Sequence, residues 1–222
     1  MAVIRWLGHA AFEIKMDGKT ILIDPWVTGN PLAPVKREDL HADLVIVTHD
    51  HGDHGFDDAV EIAKKCNATF VSIYEIASRA AERGVKKTVG MNIGGPSEIE
   101  GFKIALTQAT HSGTSNPVGV VIIGKELTVY HAGDTGLFGG MKFIGEIYRP
   151  DVALLPIGSH FTMGPVEAAY ATMLINPRIV IPMHFKTFPV LVQSAYRFVE
   201  EVKRRAPNVK VVVLEPGESH EL

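Results

Sequence analysis

The stretch IVTHDHGDHG, residues 46–55, places His49, His51, Asp53 and His54 within one short segment entered from an apolar run. Protonated, these imidazoles would repel one another; neutral, and joined by a carboxylate, they are ligands suited to zinc, iron or manganese. Read as the end of a strand, His49 and His51 stand two apart and point the same way. Asp53 and His54 follow in a loop that Gly52 and Gly55 allow to curl back. The competing reading is a polar surface loop with a helix-capping aspartate. So many ligand-type residues in an H-x-H-x-D-H pattern favour the metal site.

The surrounding segments alternate between strand and helix patterns with no linker between them. AFEIKMDGKTILIDP reads as a hairpin around Asp17-Gly18. ADLVIVTH is a β-branched run expected to form a buried strand ending at Thr48 or His49. FDDAVEIAKKC has helical spacing and acids in its first turn, where the helix dipole favours them. ATFVSI reads as a strand, and YEIASRAAERG as a helix closed by Gly84. FKIALTQATHS, VGVVIIG and LTVYHAGD form a second β-rich block. DVALLPIG, RIVIPMH and VKVVVLEP are then strands alternating with two helices, one opened by Gly164-Pro165 and one spanning LVQSAYRFVEEVKRR. Two β-rich blocks, each followed by helices, predict an α/β chain of two sheets packed face to face with helices outside, folded as one domain over residues 1–222. The halves share a weak likeness that hints at internal duplication.

Composition narrows the partners. Apolar residues make up 46% and charged residues 21% of 222 positions, which is ordinary for a globular chain. A net charge of -3 gives no basic footprint, so nucleic acid is not favoured and a small molecule is. The single cysteine, Cys66, allows no internal disulfide and reads as buried filler. The sequence shows no export-signal pattern and no apolar run of membrane-spanning length, so a cytoplasmic protein without membrane attachment is expected. A homo-oligomer is compatible with all of this.

H49-D-H51-G-D53-H54 after a hydrophobic strand resembles the metallo-β-lactamase superfamily, and the resemblance extends along nearly the whole chain. His111 follows FKIALTQAT, Asp134 sits in YHAGDTG, and His184 ends RIVIPMH. GHAAFEI, ILIDP, GSHFTMGP and AGDTGLF are similar to the subgroup containing L-ascorbate-6-phosphate lactonase and uncharacterised metal-dependent hydrolases. The resemblance implies a four-layer αββα sandwich with two divalent metal ions, zinc foremost and manganese, iron or nickel as alternatives. It implies one metal held by His49, His51 and His111, the other by Asp53, His54 and His184, with Asp134 bridging them. Two such metals with Asp53, Asp134 and one bridging hydroxide leave about one net positive charge, suited to an anionic substrate. The expected reaction is hydrolysis of an ester, lactone or related small substrate by that hydroxide. The alternatives are a phosphodiesterase or nuclease-like enzyme on the same metals, and a non-catalytic metal-binding or sensing protein.

The remaining histidines divide by position. His9 and His160 lie at strand ends or in loops, where each either lines the pocket and assists acid–base chemistry beside Asp53 or is simply a hydrogen-bonded loop residue. Neither is expected among the metal ligands. His131 either supports the Asp134 turn or packs. Asp24 either orients a ligand histidine or caps a turn. His41 and His220 read as solvated or inert.

Overall fold

The computed structural model describes residues 1–222. Strands β1 (Val3–Trp6), β2 (Phe12–Met16) and β3 (Lys19–Ile23) form an antiparallel meander. Its second turn is the expected Asp17-Gly18 pair, both residues at positive φ. β4 (Leu44–Ile46), β5 (Thr69–Ile73) and β6 (Lys87–Met91) extend the sheet in parallel, with α1 (Phe56–Cys66) and α2 (Tyr74–Glu82) as the crossovers. The second half repeats the plan. β7 (Ser97–Ile99), β8 (Phe102–Gln108), β9 (Val118–Ile123) and β10 (Thr128–His131) are antiparallel. β11 (Val152–Pro156), β12 (Ile179–Met183) and β13 (Lys210–Val211) follow in parallel, connected through α3 (Met141–Tyr148), α4 (Pro165–Ile175) and α5 (Tyr196–Arg205). β14 (Ser219–Glu221) returns to pair with β1, so the sheets run β14-β1-β2-β3-β4-β5-β6 and β13-β12-β11-β10-β9-β8-β7.

The central parallel strands are buried on both faces, as β-branched runs without alternation require. Helices α1 and α2 cover one sheet, α4 packs on the other between α3 and α5, and a continuous apolar cluster of 68 residues joins the layers. This is the αββα sandwich. No helix is long and apolar enough to cross a membrane.

The hint of duplication has a hydrogen-bonded counterpart. Asp43 accepts from the Thr20 amide at 2.9 Å and Asp151 from the Thr128 amide at 3.0 Å. Each aspartate precedes the first parallel strand of its sheet and clamps it to the last strand of the meander. Asn67 and Asn176, both at φ 52°, end the equivalent helices α1 and α4.

Four sequence expectations shift. β4 stops at Ile46 rather than Thr48 or His49, because the Thr48 amide donates to the Asp24 carboxylate (2.7 Å) instead of the neighbouring strand. His49 and His51 therefore do not share a direction through strand alternation. The final helix begins at Tyr196, not Leu191, because Val192 N–H is drawn to the Gly158 carbonyl and Ser194 Oγ takes the Tyr196 amide. The terminal VKVVVLEP run pairs only over Lys210–Val211, while β14 carries the chain back to the first sheet. Helix α3, with few polar residues to mark a periodic face, had no reading in the sequence.

Gly145 lets α3 lie against the end of α4: a β-carbon there would sit 2.3 Å from the Ile175 carbonyl oxygen. We expect Gly145→Ala to cost about 1–3 kcal/mol of stability through overpacking. Urea denaturation measures this, and an unchanged midpoint would show that the helices can separate freely.

Candidate metal centre

The loops that follow the strand ends carry the polar cluster. After Ile46 the chain leaves the sheet, passes Thr48 and His49, and forms a single 3-10 turn over Gly52–His54. Gly55 (φ 70°) sends it into α1 against Trp26, whose backbone nitrogen would lie 2.4 Å from any β-carbon at that position. The turn, not a strand, brings these side chains together.

Asp24, wholly buried just past β3, organises the group. It accepts from the Thr48 amide (2.7 Å), the Thr48 hydroxyl (2.6 Å) and His54 Nδ1–H (2.8 Å). Its hydroxyl proton spent on Asp24, Thr48 Oγ1 accepts from His49 Nδ1–H at 3.1 Å. Both histidines are thereby fixed as tautomers whose Nε2 faces the cluster. Of the two roles weighed for Asp24, the structure shows the orienting one.

His49 Nε2 lies 3.1 Å from His51 Nδ1, which lies 3.3 Å from His111 Nε2. These are close to the edge of about 3.3 Å expected between nitrogens bound tetrahedrally at about 2.0–2.1 Å from zinc. Asp134 sits between this trio and the next, its oxygens 3.5 Å from His111, 3.2 Å from His54 and 3.1 Å from His184 Nε2. A second trio, His9, His54 and His184, has ligand-capable atoms within 4.8 Å of one another. Although His54 Nε2 and Asp134 Oδ1 are close, they are misaligned, and both lack a hydrogen-bond partner, as do both nitrogens of His184. Buried polar atoms without partners are costly, and here they converge with the lone pairs of the first trio. The donor set fits divalent transition-metal binding.

Electrostatics points the same way. Burial pushes His49 down to about 2, with the His54 charge adding to the effect, and pushes His9 down to about 4 against the opposing pull of the Asp53 carboxylate. Burial also lowers His111 and His131. His54 goes the other way: despite its burial, the carboxylates of Asp134 and Asp24 hold it well above 6.5. Burial would raise Asp134 and Asp53, but neighbouring imidazoles outweigh it, and both carboxyls stay below their usual range.

The other sequence candidates fall into distinct places. Asp53 is part exposed, and its Oδ2 lies 3.2 Å from His9 Nε2. His9 is completely buried rather than lining an open pocket. His160 is exposed, with Phe161 as its aromatic neighbour, and stands outside the cluster. His131 donates to the Ala10 carbonyl (2.9 Å) and accepts from Gly133 N–H (3.0 Å), shaping the turn before Asp134. Two tethers were not foreseen. Asp50 binds the Thr114 amide, the Thr114 hydroxyl and Arg79, tying the His51 loop to the His111 loop. Thr135 Oγ1 accepts from the Thr110 amide at 2.9 Å, tying Asp134 to the same loop. Their sequence signal is only a polar residue beside each ligand candidate. A cleft of about 310 Å³ borders His51, walled by Trp26, Phe56, Arg79 and Arg83.

Comparison with known proteins gives a consistent picture. Residues 3–184 match the model of the beta-lactamase superfamily domain. The chain is 54% identical to a UPF0173 metal-dependent hydrolase of Caldivirga maquilingensis, over 98% of this chain and 97% of that one. It is 53% identical to the UPF0173 metal-dependent hydrolase MK1542 of Methanopyrus kandleri, over 98% and 99%. Among solved structures, Igni18, a metallo hydrolase from Ignicoccus hospitalis, superposes with a TM-score of 0.92 at 44% identity, covering 100% of this chain and 99% of the other.

Two outcomes are expected. Asp24→Ala should weaken divalent-metal affinity about 10–100-fold by freeing the His54 and His49 rings, measured by chelator competition; wild-type affinity would mean that Asp24 serves only the fold. In chelator-stripped protein, the native His9, His49 and His111 resist protons that the unfolded chain accepts below pH about 6.5. Their contribution is complete above that pH and is lost on acidification. His54, raised, contributes fully throughout the same window, and the lowered carboxylates contribute until about pH 4. The melting temperature of the stripped protein should therefore fall steadily from about pH 6.5 to 4, and a flat profile in thermal scans would contradict this assignment.

Proposed function

Since the chain belongs to the beta-lactamase superfamily, among its UPF0173 metal-dependent hydrolases, we propose that it hydrolyses an ester, lactone or related small anionic substrate at a pair of divalent metal ions. The convergence of His49, His51 and His111 nitrogens at 3.1–3.3 Å beside the unpartnered atoms of His54, His184 and Asp134 carries this reading. His49, His51 and His111 would hold one metal and Asp53, His54 and His184 the other, with Asp134 between the two groups. Zinc suits the imidazole-rich set best, with manganese, iron or nickel as alternatives. When bound, the pair acidifies water and takes up negative charge developing on the substrate oxygen.

The protein's own groups do the rest. Asp24 and Thr48 hold the imidazoles in one tautomer, so the site need not reorganise during the reaction. Asp53, part exposed while its Oδ2 faces His9, keeps Oδ1 free to accept a proton from the attacking water. His160, on the exposed loop whose Gly158 abuts His184, meets substrate at the rim. His9, having no exposure, acts within the cluster instead. The cleft beside His51 gives a small molecule a place to sit, its wall carrying Arg79 and Arg83, which are paired with Asp50 and Asp57. No nucleophilic side chain is required, and Cys66 lies away from the site near the Leu40 carbonyl.

Protein purified from metal-supplemented medium should carry close to two metal ions per chain, and chelation should abolish hydrolysis across a panel of esters, lactones and phosphodiesters. His49→Ala or His111→Ala should deplete one ion and His184→Ala the other, read by elemental analysis. A wild type devoid of metal would overturn the reading, and turnover confined to phosphodiesters would replace its substrate class.

A further inference from the structure

His9 stands in the second half-site as His111 stands in the first. His111 lies three residues beyond β8, the opening long strand of its meander, and His9 lies three beyond β1, the equivalent strand of the other sheet. The duplicated frame thus delivers one histidine to each end of the cluster. His111 completes the trio with His49 and His51; His9 completes the trio with His54 and His184.

The local chemistry fixes which nitrogen faces inward. Thr187 Oγ1 directs its proton to the Phe185 carbonyl at 3.3 Å and accepts from His9 Nδ1–H at 2.8 Å. His9 Nε2 therefore presents a lone pair, and it does so 3.2 Å from the Asp53 carboxylate. A lone pair facing a carboxylate oxygen is repulsive unless a cation lies between or beside them. The backbone is also committed to this pose. His9 adopts φ 55°, rare for a residue with a β-carbon, and its carbonyl receives the His184 amide and the Trp6 indole N–H, each at 2.9 Å. The main chain of one trio member is thus bonded to that of another.

We propose that His9 is a ligand of the second metal through Nε2, alongside His54 and His184, so that each ion is held by three imidazoles. This rests on the metal-pair reading, and the test separates the two. His9→Gln keeps a polar side chain beside Asp53 but removes the imidazole lone pair. In cobalt-loaded protein, we expect His9→Gln and His9→Ala to keep the first ion, to weaken the second by at least about tenfold in chelator competition, and to change the visible absorption of the second site. Thr187→Val, which leaves His9 in place without its Nδ1 acceptor, should weaken the same ion about 10–100-fold. Circular dichroism and melting establish that each variant is folded, and should both His9 variants fail to fold, Thr187→Val decides. A His9→Gln protein that binds two ions with wild-type affinity and spectrum would overturn the proposal, as would a Thr187→Val protein with wild-type affinity. Wild-type protein that binds no cobalt would instead refute the metal pair itself.

Discussion

Asp24 and Asp134 are carboxylates with essentially no access to water, separated by the single imidazole of His54. An unpaired buried carboxylate is costly enough that the fold must supply positive charge between the two. That demand raises His54 while burial lowers His49 and His9, so adjoining rings are driven to opposite protonation states. A bound cation meets the same demand with the rings neutral. The centre is thus best understood as buried negative charge waiting on a cation, with imidazoles arranged to share it.

The duplicated sandwich makes such a site possible. Parallel strands buried on both faces leave their carboxyl ends as the place where chain can emerge into a crevice, which is where α/β sheets bind ligands. Asp24 follows β3 and Asp134 follows β10, the corresponding strand of the other sheet, so each half contributes a carboxylate at the seam. The Asp50–Thr114 and Thr135–Thr110 contacts then bind the ligand-bearing loops to each other.

Much of the architecture was legible in order along the chain. Continuous β-branched runs can be stable only where both faces are covered, and helices at each crossover supply one of those covers. The candidate ligand cluster was legible because its residue types rarely gather in one short segment without chemistry to do. The ends of elements were not: β4 stops early because the carboxylate of Asp24, 24 positions back along the chain, takes the Thr48 amide, and α5 starts late because Gly158 claims the Val192 amide. Local propensity carries no trace of such competitors. Helix α3 leaves little mark in the sequence because MKFIGEIY offers only Lys142 and Glu146 to set a polar face, while its seat against α4 at Gly145 is a long-range contact.

From its sequence alone, this protein is determined to be a layered α/β chain with His49, His51, Asp53, His54, His111, Asp134 and His184 delivered in order to strand ends. Hydrophobic period and residue chemistry are local properties, and they survive without coordinates. Which ring nitrogen faces which neighbour was decided only by the tertiary structure. His9 offered nothing in the sequence to distinguish it from His160, since each is a histidine following a small residue near a strand end. Folding buries one against Asp53 and Thr187 and leaves the other in solvent. The difference arises from the pairing of the two sheets, which brings His9 to His184 across 175 positions of chain, a juxtaposition set by long-range packing and not by any neighbouring residue.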